Sequence, residues 1–248
     1  MPELELRVLW LYPDHMNIYA DRGNIAVMER RCGWRDVSFR LETAGPGDRI
    51  DPGAHDFLYI GGGQDRDQAL VARDLVEAKR DALVEAVDRG AVMLAVCGGY
   101  QLLGHSYDLP DGGSLPGLGL VDLRTVREPG PRLIGNVVIE ADLGGGPQRI
   151  AGFENHGGRT YLGETARPLG RVVSGFGNNG RDGREGVRRD RLIGTYLHGP
   201  LLPKNVWLAD LLIEWALESR LGEHVSLAPL DDRLEELAHA SAVRAALG

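Results

Sequence analysis

Short apolar runs alternate with helical periodicity through the first hundred residues. Leu6–Leu11, Val37–Leu41, Phe57–Ile60 and Ala91–Val96 read as strands. Between them Gly23–Arg31 reads as a helix. Asp67–Arg89 repeats apolar positions at Leu75, Val76, Leu83, Val84 and Val87 until Gly90 stops it. A repeating strand–helix order predicts an α/β chain: a doubly wound, mostly parallel sheet with ligands at the strands' carboxyl ends.

The pattern changes after Pro110. Gly119–Arg127, Gly135–Ala141, Arg149–Glu154 and Arg171–Ser174 are short β-like pieces with turn signals between them. They predict antiparallel strands added to the same domain. Gly175–Arg191 is polar and predicts an exposed hairpin with a loose tip. Two helices close the chain. Pro203–Arg220 carries Val206, Leu208, Leu211, Leu212 and Trp215. Leu230–Leu247 carries a stripe of Leu230, Leu234, Leu237 and Val243 that docks on its own domain or on a partner. The expected division is an enzymatic domain over 1–222 and a helical extension over 223–248.

With 248 residues and 43% hydrophobic content, the chain can bury a large core. Its net charge of −8 disfavours nucleic acid as a partner. Two cysteines, Cys32 and Cys97, make no disulfide framework, which fits a reducing cytoplasm. Leu6–Leu11 reads as a strand and not as a signal peptide. No apolar segment approaches the roughly 20 residues of a membrane span. No Cys/His cluster has metal-ligand spacing, so no metal is expected.

The chemistry concentrates where the fourth strand ends. Val92–Val96 runs into Cys97-Gly98-Gly99-Tyr100-Gln101. A buried strand that meets a sharp turn and then a helix lifts one side chain out, as a nucleophile elbow does. The N–H groups of a helix N-terminus favour a thiolate there. A base is then needed. His198 ends the apolar run Leu192–Leu197 and is followed by Gly199-Pro200. Two parallel strands ending in Cys97 and His198 would bring thiol and imidazole together. His156, in Phe153-Glu154-Asn155-His156-Gly157-Gly158, is the rival base. A third element is Gly61-Gly62-Gly63 after Phe57–Ile60. Glycines present backbone N–H groups without a Cβ in the way, so Gly62 or Gly63 with Gly98 would hold an oxyanion. The competing reading, a phosphate loop, lacks a following Gly-Lys-Ser/Thr; Lys79 and Lys204 are the only lysines.

These motifs resemble a known family. The Cys97–Gln101 run resembles the elbow of class I glutamine amidotransferases, a flavodoxin-like α/β fold. Gly152–Thr160 and Gly194–Pro200 resemble their cobyric-acid-synthase-type branch. Tyr12–Asn24 resembles the glutaminase subunits of lipid II isoglutaminyl synthases. The resemblance implies that Cys97 attacks the side-chain amide of L-glutamine and that His198 moves the proton to the leaving ammonia. Gln101 and Arg132 would bind the substrate, with Arg127 a competitor for the arginine's role. It further implies no cofactor in this chain. The partner would be a Mur-ligase-like synthetase subunit that carries ATP and holds lipid II as acceptor, near the inner face of the membrane.

One departure stands out. Class I enzymes read His-x-Glu, whereas His198 is followed by Gly199-Pro200. Either a dyad suffices, or a carboxylate comes from elsewhere, the partner included. Two other readings stay open: an ammonia donor for another synthetase, as in cobyrinate amidation, and a non-catalytic scaffold subunit.

Overall fold

A computed structural model of the chain describes residues 4–18 and 21–248. Of the Tyr12–Asn24 segment, Tyr19 and Ala20 lie outside the described residues. The first half follows the expected order: β1 (Glu5–Leu11), α1 (Arg22–Gly33), β2 (Ser38–Ala44), β3 (Phe57–Ile60), α2 (Asp65–Asp74), α3 (Arg80–Asp88) and β4 (Val92–Val96). The single helix expected over Asp67–Arg89 is α2 and α3 joined by a π-helical turn, Leu75–Lys79. Lys79 is buried there. Its ammonium pairs with Asp74 and faces the Tyr12 ring at 5.2 Å.

A short helix, α4 (Gly98–Gln101), precedes the strand-rich half. That half holds β5 (Ser106–Asp108), β6 (Ser114–Pro116), β7 (Leu123–Val126), β8 (Leu133–Asp142), β9 (Pro147–His156), β10 (Arg159–Leu162), β11 (Gly170–Ser174), β12 (Arg184–Glu185), β13 (Val187–Arg189) and β14 (Leu192–Thr195). The main sheet has the order β13-β14-β4-β3-β1-β2. Only β13, on its edge, pairs antiparallel. Two four-stranded sheets, β10-β7-β5-β6 and β12-β11-β8-β9, stand beside it. Every side chain of β3 and β4 is buried, which is why both read as unbroken apolar runs.

Gly175–Arg191 is not the exposed hairpin that its composition predicts. It contains β12 and β13, and Asn178, Asn179 and Glu185 are buried. Asn178 accepts from the Tyr100 hydroxyl at 2.9 Å and from the Gly186 N–H at 2.8 Å. These polar side chains pay for burial by satisfying backbone from distant segments.

Three helices end the chain: α5 (Leu201–Lys204), α6 (Val206–Leu221) and α7 (Arg233–Leu247). The helix expected over Pro203–Arg220 breaks at Asn205. That side chain leaves the helix to bond both the N–H and the carbonyl of Ala151, at 2.9 and 2.8 Å. Helix α7 docks on its own domain, through Val243 of the expected stripe but not through the stripe's leucines within the helix. Val243, Ala242 and Ala246 pack on Val138 and Ala151, whereas Leu234 and Leu237 are 77% and 65% exposed. The extension is further tied down by Arg31, fully buried, which bonds Asp210 of α6 and Asp232 just before α7.

Candidate active site

Cys97 sits between β4 and α4 with φ 51° and ψ −105°. A non-glycine residue in this region costs on the order of 1–3 kcal/mol and persists only where its surroundings hold it. The hold is visible. Cys97 N–H donates to Thr195 at 2.8 Å, and Gly99 N–H donates to Gly61 at 3.0 Å. Gly98 and Gly99 admit no side chain: a Cβ on Gly98 would lie 2.7 Å from the Gln68 amide nitrogen, and one on Gly99 2.8 Å from the Ile60 carbonyl oxygen. The helix behind the elbow has only four residues. Its contribution to a thiolate is therefore its first N–H groups and not a full macrodipole. Neither cysteine is in a disulfide. Burial pushes the Cys32 thiol up to about 12, so it is not a rival nucleophile.

His198 lies on the same side of the sheet, but not at a parallel strand's end. Strand β14 stops at Thr195, level with Val96. His198 comes three residues later and forms an antiparallel bridge with Phe153, each N–H donating to the other's carbonyl at 3.0 Å. Its ring packs edge-on against Phe153 and is fully buried. Burial first, then His156, Lys204 and Arg132, bring its pKa down to about 4. At neutral pH the imidazole is therefore neutral and able to accept a proton.

The rival base, His156, is built into the interior. It ends β9 and is buried. Its Nδ1 meets the Gly158 carbonyl at 2.8 Å and its Nε2 faces Glu154 at 3.4 Å. The ring stacks on Tyr196 at 3.5 Å and 6°. Both ring nitrogens are committed to the protein.

The glycine loop after β3 closes on the elbow. A Cβ on Gly62 would lie 3.2 Å from the Cys97 Cβ, and the Gly63 nitrogen lies 2.9 Å from where a Gly98 Cβ would be. Gly62 and Gly63 are not equivalent. The Gly62 N–H donates to Asp21 Oδ2 at 2.8 Å. This leaves Gly63 and Gly98 as the N–H pair beside the thiol.

Gln101 is buried within a polar chain. It accepts from Gln68 at 2.7 Å and donates to the Tyr196 hydroxyl at 3.1 Å. That hydroxyl also bonds Thr160, which in turn bonds Thr125. Both ends of the Gln101 amide thus work inside the protein. Of the two arginines, Arg132 is exposed and grips Asn155 through its side-chain and backbone oxygens, both at 2.7 Å. Its charge is felt at His198. Arg127 instead donates to Gly157 at 3.0 Å, covering the face of that glycine.

Two carboxylates escaped the sequence reading. Asp21 holds the glycine loop. Glu185 lies under the base-bearing segment, where it accepts from Tyr196 N–H at 2.7 Å and from the Thr195 hydroxyl at 3.0 Å. Glu185 stands in a Gly- and Arg-rich stretch that gave no signal. Asp21 had one: it directly precedes a helix, as N-caps do, yet makes no side-chain cap bond. Among the described residues, no three His, Cys, Asp or Glu side chains form a metal-holding group, and no helix is long and apolar enough to cross a membrane.

Known proteins resemble this chain in sequence and in fold. The family described as CobB/CobQ-like glutamine amidotransferase domain matches residues 7–206. The lipid II isoglutaminyl synthase (glutamine-hydrolyzing) subunit GatD of Staphylococcus aureus is 43% identical, over 87% of this chain and 86% of its own length. GatD of Streptococcus pneumoniae is 35% identical, over 94% and 88%. A probable cobyric acid synthase of Methanopyrus kandleri is 41% identical over 64% of this chain, but over only 33% of its own length. Among solved structures, PurLQS from Thermotoga maritima superposes with a TM-score of 0.59 at 19% identity, over 88% of this chain and 99% of that one. A glutamine amidotransferase from the same organism gives 0.53 at 16% identity, over 100% and 97%. At such identities these two structures speak to the fold alone.

Proposed function

The chain belongs to the CobB/CobQ-like glutamine amidotransferases, and we propose that it is the glutaminase subunit of a lipid II isoglutaminyl synthase. In this reading Cys97 Sγ attacks the side-chain carbonyl carbon of L-glutamine and passes its proton to His198. The N–H groups of Gly63 and Gly98 take the developing oxyanion. Collapse of the tetrahedral intermediate breaks the C–N bond, and His198 returns the proton to the leaving ammonia. Water then hydrolyses the thioester to glutamate and restores the thiol. Arg132 is the residue for the glutamine carboxylate, since it stands exposed beside His198's loop. Gln101 supports the site from within by holding Tyr196, two residues before the base.

The observation that carries this reading is the elbow itself: a strained, non-glycine Cys97 tied by its own N–H to the strand that leads to His198. The fate of the ammonia rests on the relatives. Both GatD proteins match this chain along most of their length, whereas the cobyric acid synthase extends well beyond the matched part. The chain carries no phosphate-loop motif, so ATP belongs to a Mur-ligase-like partner subunit in a heterodimer. There D-glutamate of lipid II becomes D-isoglutamine, a step of peptidoglycan synthesis at the cytoplasmic face of the membrane. The missing acid after His198 leaves room for a carboxylate from that partner to orient the imidazole.

The test is amide transfer. With the co-purified partner, ATP and glutamine labelled at its amide nitrogen, lipid II should gain one labelled amide. The complex carrying Cys97→Ala should amidate only from ammonium. Amidation of a corrinoid in place of lipid II, or of lipid II by this chain alone, would overturn the assignment.

A further inference from the structure

An oxyanion hole works because its donors are fixed before charge develops. A run of three glycines fixes nothing by itself, since each peptide plane is free to turn. Gly61-Gly62-Gly63 is therefore oriented from outside. Three anchors are on view. The Gly61 carbonyl accepts from Gly99 at 3.0 Å, and the Gly62 carbonyl accepts from Ile18 at 3.1 Å. The third is the only side chain among them: Asp21 Oδ2, which takes the Gly62 N–H at 2.8 Å.

Asp21 is fully buried. Its Oδ1 has no hydrogen-bond partner among the described residues. Burying a carboxylate on one donor is a poor use of a side chain for stability. It is a good use for aiming a peptide, because away from water a hydrogen bond is electrostatically stronger and a fixed acceptor gives the N–H one direction. With Gly62 N–H turned to Asp21, the next N–H, that of Gly63, is left beside Gly98.

The same helical turn reaches the other half of the site. A Cβ on Gly23 would lie 2.7 Å from Pro200 Cγ, so α1 packs directly on the turn that follows His198. Asn24 accepts from Leu202 N–H at 2.8 Å and donates to the Tyr59 hydroxyl at 2.9 Å. That hydroxyl in turn donates to the Asp21 carbonyl at 3.1 Å. Asp21, Gly23 and Asn24 thus touch the oxyanion loop, strand β3 and the segment behind the base.

We propose that the first turn of α1, Asp21 to Asn24, is a clamp that sets the oxyanion loop against the base-bearing loop, with Asp21 as its positioning residue. The clamp rests on the reading of Cys97 as nucleophile. It acts on the transition state, not on glutamine binding.

The experiment compares Asp21→Ala and Asp21→Asn with the parent chain, assayed in complex with its partner. Asp21→Ala, which leaves the donor in place but unaimed, should lower kcat for glutamine about tenfold to a hundredfold, up to the lower end of the roughly 100- to 1,000-fold loss that follows removal of an oxyanion donor, with KM changed less than about threefold. Asp21→Asn retains an acceptor for Gly62 and should restore kcat to within about threefold of the parent. Iodoacetamide alkylates a thiol by direct displacement and needs no oxyanion hole, so its rate at Cys97 should stay the same in all three. A normal kcat in Asp21→Ala, a loss carried by KM, no rescue by Asn, or a parallel loss of alkylation would each overturn the clamp. Retained turnover in Cys97→Ala would instead overturn the nucleophile.

Discussion

The backbone N–H of Cys97 donates to the carbonyl of Thr195 at 2.8 Å, and His198 stands three residues beyond that carbonyl. Nucleophile and base are thus referred to one rung of a parallel ladder. Gly194, paired with Ala95 in the same ladder, lets the elbow helix α4 and the turn after it pack against β14. A Cβ there would run into the Tyr100 ring and come within 2.9 Å of Leu103. Gly194→Ala should therefore cost about 1–3 kcal/mol, as overpacking does, and lower turnover together with stability. Urea melts and glutamine hydrolysis measured side by side check this. Unchanged turnover would mean that this rung does not set the geometry.

The two interior histidines should separate cleanly. His198→Ala should reduce glutamine hydrolysis by about 100- to 10,000-fold, the usual loss of acid–base help, far more than the cavity left by its buried ring accounts for through lost stability. His156→Ala removes a ring stacked on Tyr196 and two polar contacts. Its first effect should be on stability. Kinetics together with thermal melts of both variants test the pair; the reverse ranking would make His156 the base.

Stability should fall between about pH 6.5 and pH 8. Burial raises Glu185 from 4.5 to about 8 and Asp21 from 3.8 to about 7. Each folded carboxyl holds its proton more tightly than the unfolded one, so its contribution is complete at low pH and is lost as pH rises through the folded value. His198 runs the other way. Lowered from 6.5 to about 4, it costs stability only as pH drops below 6.5. Above 6.5 the two carboxyls alone set the slope of these three. Thermal melts at pH 6.5 and 8 should show the decline, and Glu185→Gln should flatten it. A parent chain whose melting temperature rises across this window would contradict the assignment.

The main sheet was legible because β3 and β4 are buried on both faces, so apolar runs mark them unambiguously. Cys97 was legible for the same reason: a polar side chain followed by two glycines at the end of such a run has few structural uses. The placement expected for His198, at the end of a parallel strand, was partly wrong. His198 is carried past the end of β14 and held by Phe153 of β9, a partner that no local pattern reveals. The clearest failure was Gly175–Arg191, where buried Asn178 and Glu185 look in sequence like a solvated loop. Their partners, Tyr100, Thr195 and Tyr196, are distant in the chain or across a turn. Helix α7 misled differently, since alanines and Val243 dock it while its leucines face outward. Asp21 stands where an N-cap would, and its bond to the Gly62 N–H in place of its own helix is something only the fold reveals.

The most direct measurement traps the nucleophile. Incubated with diazo-oxo-norleucine, a glutamine analogue that alkylates the attacking thiol, the intact chain should gain one adduct, placed on Cys97 by peptide mass spectrometry. Glutamine should protect against it, Cys97→Ala should take up none, and that variant should melt like the parent while hydrolysing no glutamine. An adduct on Cys32, or glutamine hydrolysis that survives in Cys97→Ala, would contradict the account at its centre.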